Sequence, residues 1–397
     1  WMDGLLRFEG VRGVHARTTL STECTCRFTP DGGWHVSFAR LVADRFRADH
    51  DLLRALPAGL QQAVAGVRLK GLLSLDGALD IYSTAPREMS LPGGRTERVP
   101  GPAAAAWDMQ LDLEQAALDV GIPLGHVHGG IRLRGSSDGS TWRSFGEVAL
   151  DSAIWRGLQL SAIRGPLVID AAGARFGAPA AAVVEPGAPR RLTARVAGGT
   201  LQVDGSMATG EAGRFTVALA LADAELERLS ADLSGGPATS RGRVHGAVEM
   251  SGSRAGSHSL RGRGQLRLRD ADLYELPVVV ALLKILRVKA PDRTAFDSSM
   301  VDFRIEGPRA YLDTIELSGD AISLVGAGEV DLDSHVRLTF RPIMGEAESQ
   351  LPALKRVLGG AGGQFLVVHV DGTLAEPVTS TEAFPTLAAA VQKLQAQ

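Results

Sequence analysis

Aromatic residues are scarce: five Trp, three Tyr and twelve Phe stand in 397 residues. They are dispersed, whereas a platform that binds sugars by ring stacking needs them grouped. Cysteine is scarcer still. Cys24 and Cys26 are the whole complement, so no disulfide framework holds the chain together. Their C-x-C spacing puts both side chains on one face of a strand. The local sequence supplies no further metal ligands, and the pair reads as ordinary strand residues. Neither sign of charge dominates. Forty-two Lys and Arg against 45 Asp and Glu leave a net charge of −3, so no positive field exists to hold a polyanion, and nucleic acid is not an expected partner. Long apolar runs are missing too: nothing approaches the ~20 residues of a membrane-spanning helix, and no charged segment leads into an apolar core as in a signal peptide. The sequence opens at Trp1. We therefore expect an internal or C-terminal piece of a longer protein, with any signal or anchor upstream.

Catalytic patterns are equally lacking. The nine His are scattered without metal-ligand spacing, and there is no G-x-S-x-G elbow, P-loop or G-x-G-x-x-G between a strand and a helix. The glycine run at 359–363 lacks the Lys and Ser/Thr that hold phosphate. Asp76 with Asp80, and Asp331 with Asp333, have the look of paired carboxylates; Asp331 and Asp333 would share a strand face but sit beside turns, where Asp is favoured on its own account. The run at 291–297, PDRTAFD, reads as a capped connector. The expectation is no enzyme, no cofactor and no metal.

Glycine is abundant, at 47 residues with 19 Pro, and 45% of the chain is hydrophobic; such a composition suits many short strands joined by tight turns. Apolar and polar residues alternate along most of it, as in Trp107, Met109, Leu111, Leu113 and in Phe215, Val217, Leu219, Leu221. Period two marks half-buried strands. Three segments share one frame: LKGLLSLDG (69–77), VHGGIRLRG (127–135) and VHGAVEMSG (244–252). Each is a Gly-x-h-x-h-x-Gly core, h being apolar. The second and third copies are followed by GEVALDSAIWRGL (146–158) and GQLRLRDADLYEL (264–276), which align without a gap. His128 and His245 occupy the same place in the repeat, which suits a structural role. We read each core as a strand closed at both ends by glycines that permit turns or bulges. One such strand cannot bury its own apolar face, so stacked copies must share one.

Two segments rich in Pro, Gly and Ala, 84–106 and 177–191, read as exposed loops. Helices are expected at 51–65, interrupted at Pro57, at 277–289, at 351–358 and at 385–394. Segment 277–289 begins with the proline favoured in a first turn and is apolar round most of its circumference. Two roles stay open for it, a core helix plugging the sheet or an interfacial helix touching lipid.

Four stretches of the last third stand out: LRGRGQLRLRDADLYELPVVVALLKIL (260–286), the run at 290–297, DFRIEGPRAYLDTIELSGDAISLVGAGEVDLD (302–333) and VDGTLAEP (370–377). Together they resemble the AsmA-like C-terminal region of bacterial envelope proteins, a relative of the TamB and YhdP type. The resemblance implies groove repeats over 1–240 and an AsmA-like C-terminal domain over 241–397: a mainly β chain whose elongated, repetitive antiparallel sheet curls into an apolar groove, with a few short helices. It further implies a periplasmic protein, anchored in the inner membrane in its full-length form, that lets phospholipid pass between inner and outer membranes. Acyl chains are then the expected partners. Unaided, exposing a 16-carbon chain to water costs roughly 12 kcal/mol. The groove-lining candidates are Leu73 and Leu75, Ile131 and Leu133, and Val248 and Met250 of the three cores, Leu266 and Leu268 downstream, Val217 and Leu219, and then Ile322, Leu324, Val330 and Leu332. Val279, Leu282, Leu283 and Leu286 are the apolar positions of the membrane or plug helix. Two other readings stand beside this one: a β-solenoid that binds glycans or proteins on its outer surface, and an assembly factor that pairs with strands of outer-membrane proteins at a sheet edge.

Overall fold

The computed structural model describes residues 4–15, 18–47, 69–83, 87–90, 96–99, 101, 103–119, 123–181, 190–210, 212–234, 241–271, 277–285, 298–319, 323–343 and 366–383. It is mainly β, and every described strand pairing is antiparallel. The chain divides into two compact units, residues 1–195 with 202–215, and residues 196–201 with 216–397.

The first unit is a meander. Strands β1 (Leu5–His15), β2 (Thr18–Phe28), β3 (Trp34–Phe46) and β4 (Lys70–Ser83) pair in chain order. A separate small hairpin, β5 (Arg87–Ser90) with β6 (Thr96–Val99), interrupts it. It resumes with β7 (Ala103–Asp119), β8 (Pro123–Ser137), β9 (Trp142–Trp155), β10 (Leu158–Asp170) and β11 (Gly173–Phe176). A one-turn helix α1 (Ala178–Ala181) follows, then β12 (Leu192–Val196) and β13 (Gly199–Ala208). Since side chains alternate across a strand, this register puts the apolar positions on one face and the polar ones on the other.

The buried positions change parity part-way along these strands, and bulges at that level keep them on one face. Arg45, Gly71, Gln115, His126, Gly129 and Ala162 have φ values of 54°, 119°, 52°, 49°, 123° and 49°. They lie near one level on β3, β4, β7, β8 and β10. Beyond that line the next inward residue comes three positions on instead of two: Phe46 after Ala43, Ala116 after Leu113, Ala153 after Leu150. Phe46 is 8% exposed, and Ala116 and Ala153 are fully buried. A bulge bends its strand and sharpens the local twist, so bulges aligned across neighbouring strands crease the sheet.

Beyond residues 196–201, the second unit takes up the chain in β14 (Phe215–Glu225) and helix α2 (Leu226–Ser234). Then follow β15 (Arg243–Gly252), β16 (Arg261–Arg269), helix α3 (Pro277–Ile285), and β17 (Ser298–Glu306) to β22 (Pro377–Ala383) by way of β18 (Arg309–Ser318), β19 (Ser323–Asp331), β20 (His335–Ile343) and β21 (Leu366–Thr373). From β15 on, each strand pairs with the next. A bulge at Asp313 turns the inward residue from Leu312 to Ile315. Arg304 holds the bulged carboxylate with Nε hydrogen bonds of 2.9 and 3.0 Å.

Three expectations need correction. Ala103–Ala106, placed in a loop by composition, open β7 and pair in register with Asp80–Ser83, because a partner strand supplies the hydrogen bonds that an Ala-rich segment does not itself demand. Part of 84–106 also forms the β5–β6 hairpin, and 178–181 is helical. Helix α2 is not among the expected helices: its Leu226, Leu229 and Leu233 follow helical spacing, but over nine residues only. The helices expected at 51–65, 351–358 and 385–394, and the connector at 291–297, lie outside the described residues. Among the described residues no helix is long and apolar enough to cross a membrane.

Candidate lipid-binding faces

In the first unit the predicted positions come together in rows. Leu75, Leu111, Ile131 and Val148 stand opposite one another in turn on β4, β7, β8 and β9. The next row towards the crease is Leu73, Leu113, Gly129, Leu150 and Ile163, and the next row away from it is Gly77, Met109, Leu133, Gly146 and Leu167. Leu73 and Leu113 are 2% and 3% exposed, while Leu75, Leu111, Ile131 and Leu133 are half-buried. The face thus runs from a closed floor at the crease to a more open part beyond it.

The repeat glycines do more than end strands. Gly71 and Gly129 are the crease positions with positive φ, as bulge-permitting glycines would be. Gly77 and Gly135, however, sit within strands, on the apolar face, beneath a large neighbour. A Cβ on Gly135 would lie 2.4 Å from the Trp107 ring, and one on Gly77 would lie 2.8 Å from the Met109 sulfur. The same seating recurs at Gly146 under Leu133, Gly264 under Phe303, Gly326 under Phe340 and Gly328 under Leu338. Trp107 lies across its glycine and donates Nε1–H to Ser144 Oγ at 3.2 Å; Ser144 is 2% exposed. Its one polar group is thereby satisfied on an otherwise apolar surface.

Charge gathers on the opposite face. Asp108 accepts hydrogen bonds from Arg132 at 3.1 Å through both Nε and a terminal nitrogen, and from Arg134 Nε at 2.8 Å. The Arg132 hydrogen bond first, then Arg134, holds the Asp108 carboxyl below the usual range. Arg40 with Asp76 and Arg164 with Asp151 are looser pairs of the same kind. These pairs are exposed and contribute little stability, but their solvation fixes which face meets water. The β8–β9 turn is clamped by Asp138, which accepts backbone hydrogen bonds from Thr141 and Ser140 and hydroxyl hydrogen bonds from both, lowering its pKa strongly.

In the second unit Val244, Gly246, Val248 and Met250 on β15 face Leu268, Leu266, Gly264 and Gly262 on β16. The third repeat copy therefore pairs two residues out of step with the second, where Leu133 rather than Ile131 meets the glycine. A shift of two keeps the face. Val301, Phe303 and Ile305 continue it on β17, and Leu324 and Val330 lie on it in β19. Helix α3 covers part of it. Val279 (3% exposed) and Leu282 (0%) join one core with Ile315, Leu324, Leu338, Phe340, Val368 and Val370. Leu324 is accordingly sealed, whereas Val248, Met250 and Leu268 are half-buried and Leu266 is 37% exposed. Val217 and Leu219 are half-buried on one side of β14. Leu332 does not continue the row: it stands past the end of β19 in a turn, 65% exposed, where no strand holds its orientation. Leu283 belongs to the last turns of α3, and Ile322 and Leu286 lie outside the described residues.

Two polar clusters and a cysteine pair remain, the cysteines lying on the apolar face itself, where Cys24 continues the row of Trp107, Leu79 and Phe38. Asp331, Asp333 and His335 bring ligand-type atoms within 4.8 Å of one another, but Asp331 Oδ1 already accepts the backbone N–H groups of Asp333 and His335 at 2.9 Å, as a turn-forming Asp does. A cavity of about 740 Å³ at the β2–β3 hairpin is lined by Arg27, Asp31, Trp34, His35, Asp80 and Tyr82; His35 Nε2 lies 3.0 Å from Asp80 and its ring meets Tyr82 edge-on. Cys24 and Cys26 have their sulfurs 3.7 Å apart, and burial first, then the contact with Cys26, pushes the Cys24 thiol up to about 11.

Comparison with protein-family models, with curated proteins and with solved structures finds no match to this chain.

Proposed function

We propose that this chain is a non-enzymatic lipid-binding protein of the AsmA/TamB/YhdP type, which holds phospholipid acyl chains on its apolar sheet faces and supports phospholipid transport between inner and outer membranes and the integrity of the outer one. The observation that carries this reading is the register itself: Leu75, Leu111, Ile131 and Val148 form an unbroken apolar row across four strands, half-buried or nearly buried, while the ion pairs sit on the other side. An acyl chain laid along such rows leaves water over most of its length, at ~0.8 kcal/mol per CH₂, and its headgroup stays in solvent. The open strip at Val248, Met250 and Leu266 offers a second stretch of the same chemistry. In this reading the full-length protein sits in the periplasm, anchored to the inner membrane.

The test is to purify the chain and measure co-purifying phospholipid by mass spectrometry, in the wild type and in Leu133→Asp with Val248→Asp. We expect lipid in the wild type and at least a tenfold loss in a double variant that keeps its circular dichroism. Absence of lipid from the wild type, or full recovery in the folded double variant, would end this reading. The cavity at Trp34 and Tyr82 favours the alternative of an outer surface that binds glycans. Both substitutions lie on other strands, so that alternative predicts no change from them.

A further inference from the structure

We propose that Cys24 and Cys26 form a two-thiolate chelate for a soft monovalent metal ion, Cu(I). The two cysteines of the chain lie two residues apart on β2 and point to one face, with Sγ atoms 3.7 Å apart. With thiolate–metal bonds of about 2.3 Å, two sulfurs lie ~3.8 Å apart on a tetrahedral ion and ~4.6 Å apart on a linear one. The pair therefore reaches a two-coordinate ion by a small rotation of the half-buried Cys26, without moving the backbone.

A disulfide fits the same place badly. Strand residues two apart have Cα atoms ~6.6 Å from each other, near the ~6.8 Å upper end of what a disulfide spans. Both cysteines are also held in register, Cys24 opposite Phe8 and Phe38, Cys26 opposite Leu6 and Val36. These flanking residues decide the ion as well. Zinc needs four ligands, yet the neighbours of the pair on its own face are Phe, Leu and Val, and among the described residues the one group of three metal-ligand side chains is at Asp331, Asp333 and His335. Soft thiolates select Cu(I), which is content with two. The bulge at Glu23/Cys24, where β3 carries one residue more than β2, adds local twist at this spot. Binding is a plain exchange: Cu(I) joins both sulfurs, two S–H protons pass to solvent, and no electron moves.

The reduced, full-length chain is titrated anaerobically with Cu(I) supplied as its acetonitrile complex, in competition with a chromophoric Cu(I) chelator. The expected result is one ion per chain, with affinity at least 100-fold lower in Cys24→Ser, in Cys26→Ser and in the double variant, all with unchanged circular dichroism. X-ray absorption should show two sulfur neighbours per ion. A double variant within threefold of the wild type, a single variant with undiminished affinity, or three or more sulfurs per ion overturns the proposal.

Discussion

At the scale of single residues, the glycines of the repeat carry the most information. Gly71 and Gly129 serve a backbone need, positive φ at a bulge, whereas Gly77 and Gly135 serve a packing need, room beneath a neighbour's side chain. One letter in one repeated frame thus has two causes, and only cross-strand register separates them. Gly135→Ala tests the second cause. Its new Cβ meets the Trp107 ring at 2.4 Å and the Arg143 carbonyl oxygen at 2.5 Å. Trp107 cannot retreat without releasing its hydrogen bond to buried Ser144. Overpacking of this kind costs about 1–3 kcal/mol, so we expect a lower urea midpoint with an unchanged slope, and a Trp fluorescence shift. A variant as stable as the wild type would show that the ring has room to move.

At the scale of elements, helix α3 decides how much of the second unit's apolar face is free. Its apolar circumference was plain in the sequence, and so was the proline that starts it; its burial was not, because one amphipathic or apolar helix can face protein or lipid equally well. Val279 and Leu282 pack against β18 to β21 and seal that part of the sheet. Leu282→Ala removes a fully buried side chain and should destabilise the chain by about 2–5 kcal/mol, read by chemical denaturation. The control is Leu266→Ala, where a side chain already 37% exposed loses little; equal effects would mean that α3 is not part of the core. The register of the hairpins belongs to this scale too. The second and third repeat copies align in sequence without a gap, yet they pair two residues out of step, since the sheet constrains which face a residue takes and not which partner it meets.

At the scale of the whole molecule, the net charge of −3 is small, and in the described strands of the first unit the ion pairs lie opposite the apolar rows. Lipid held by acyl chains on such faces should be indifferent to ionic strength, because screening acts on charges and leaves apolar burial alone. Phospholipid recovery on washing in about 50 mM and about 500 mM NaCl should agree within roughly twofold, the Debye length falling severalfold over that range. A steep loss at high salt would instead indicate that headgroup charge holds the lipid on the arginine-bearing polar face.

By itself, the sequence determined that this chain is β, antiparallel and one-sided. Alternation with period two is a property of the extended backbone, and Leu75, Ile131 or Leu133 takes its face from its parity whatever the partner strand. Only the tertiary structure decided the rest. The crease at Gly71, Gln115 and Gly129 breaks the parity that sequence reading relies on. The Trp107 seat, the sealing of Leu324 under α3 and the openness of Leu266 all depend on residues distant in the chain. Those contacts are set by which strands become neighbours, and no local pattern of side chains encodes that.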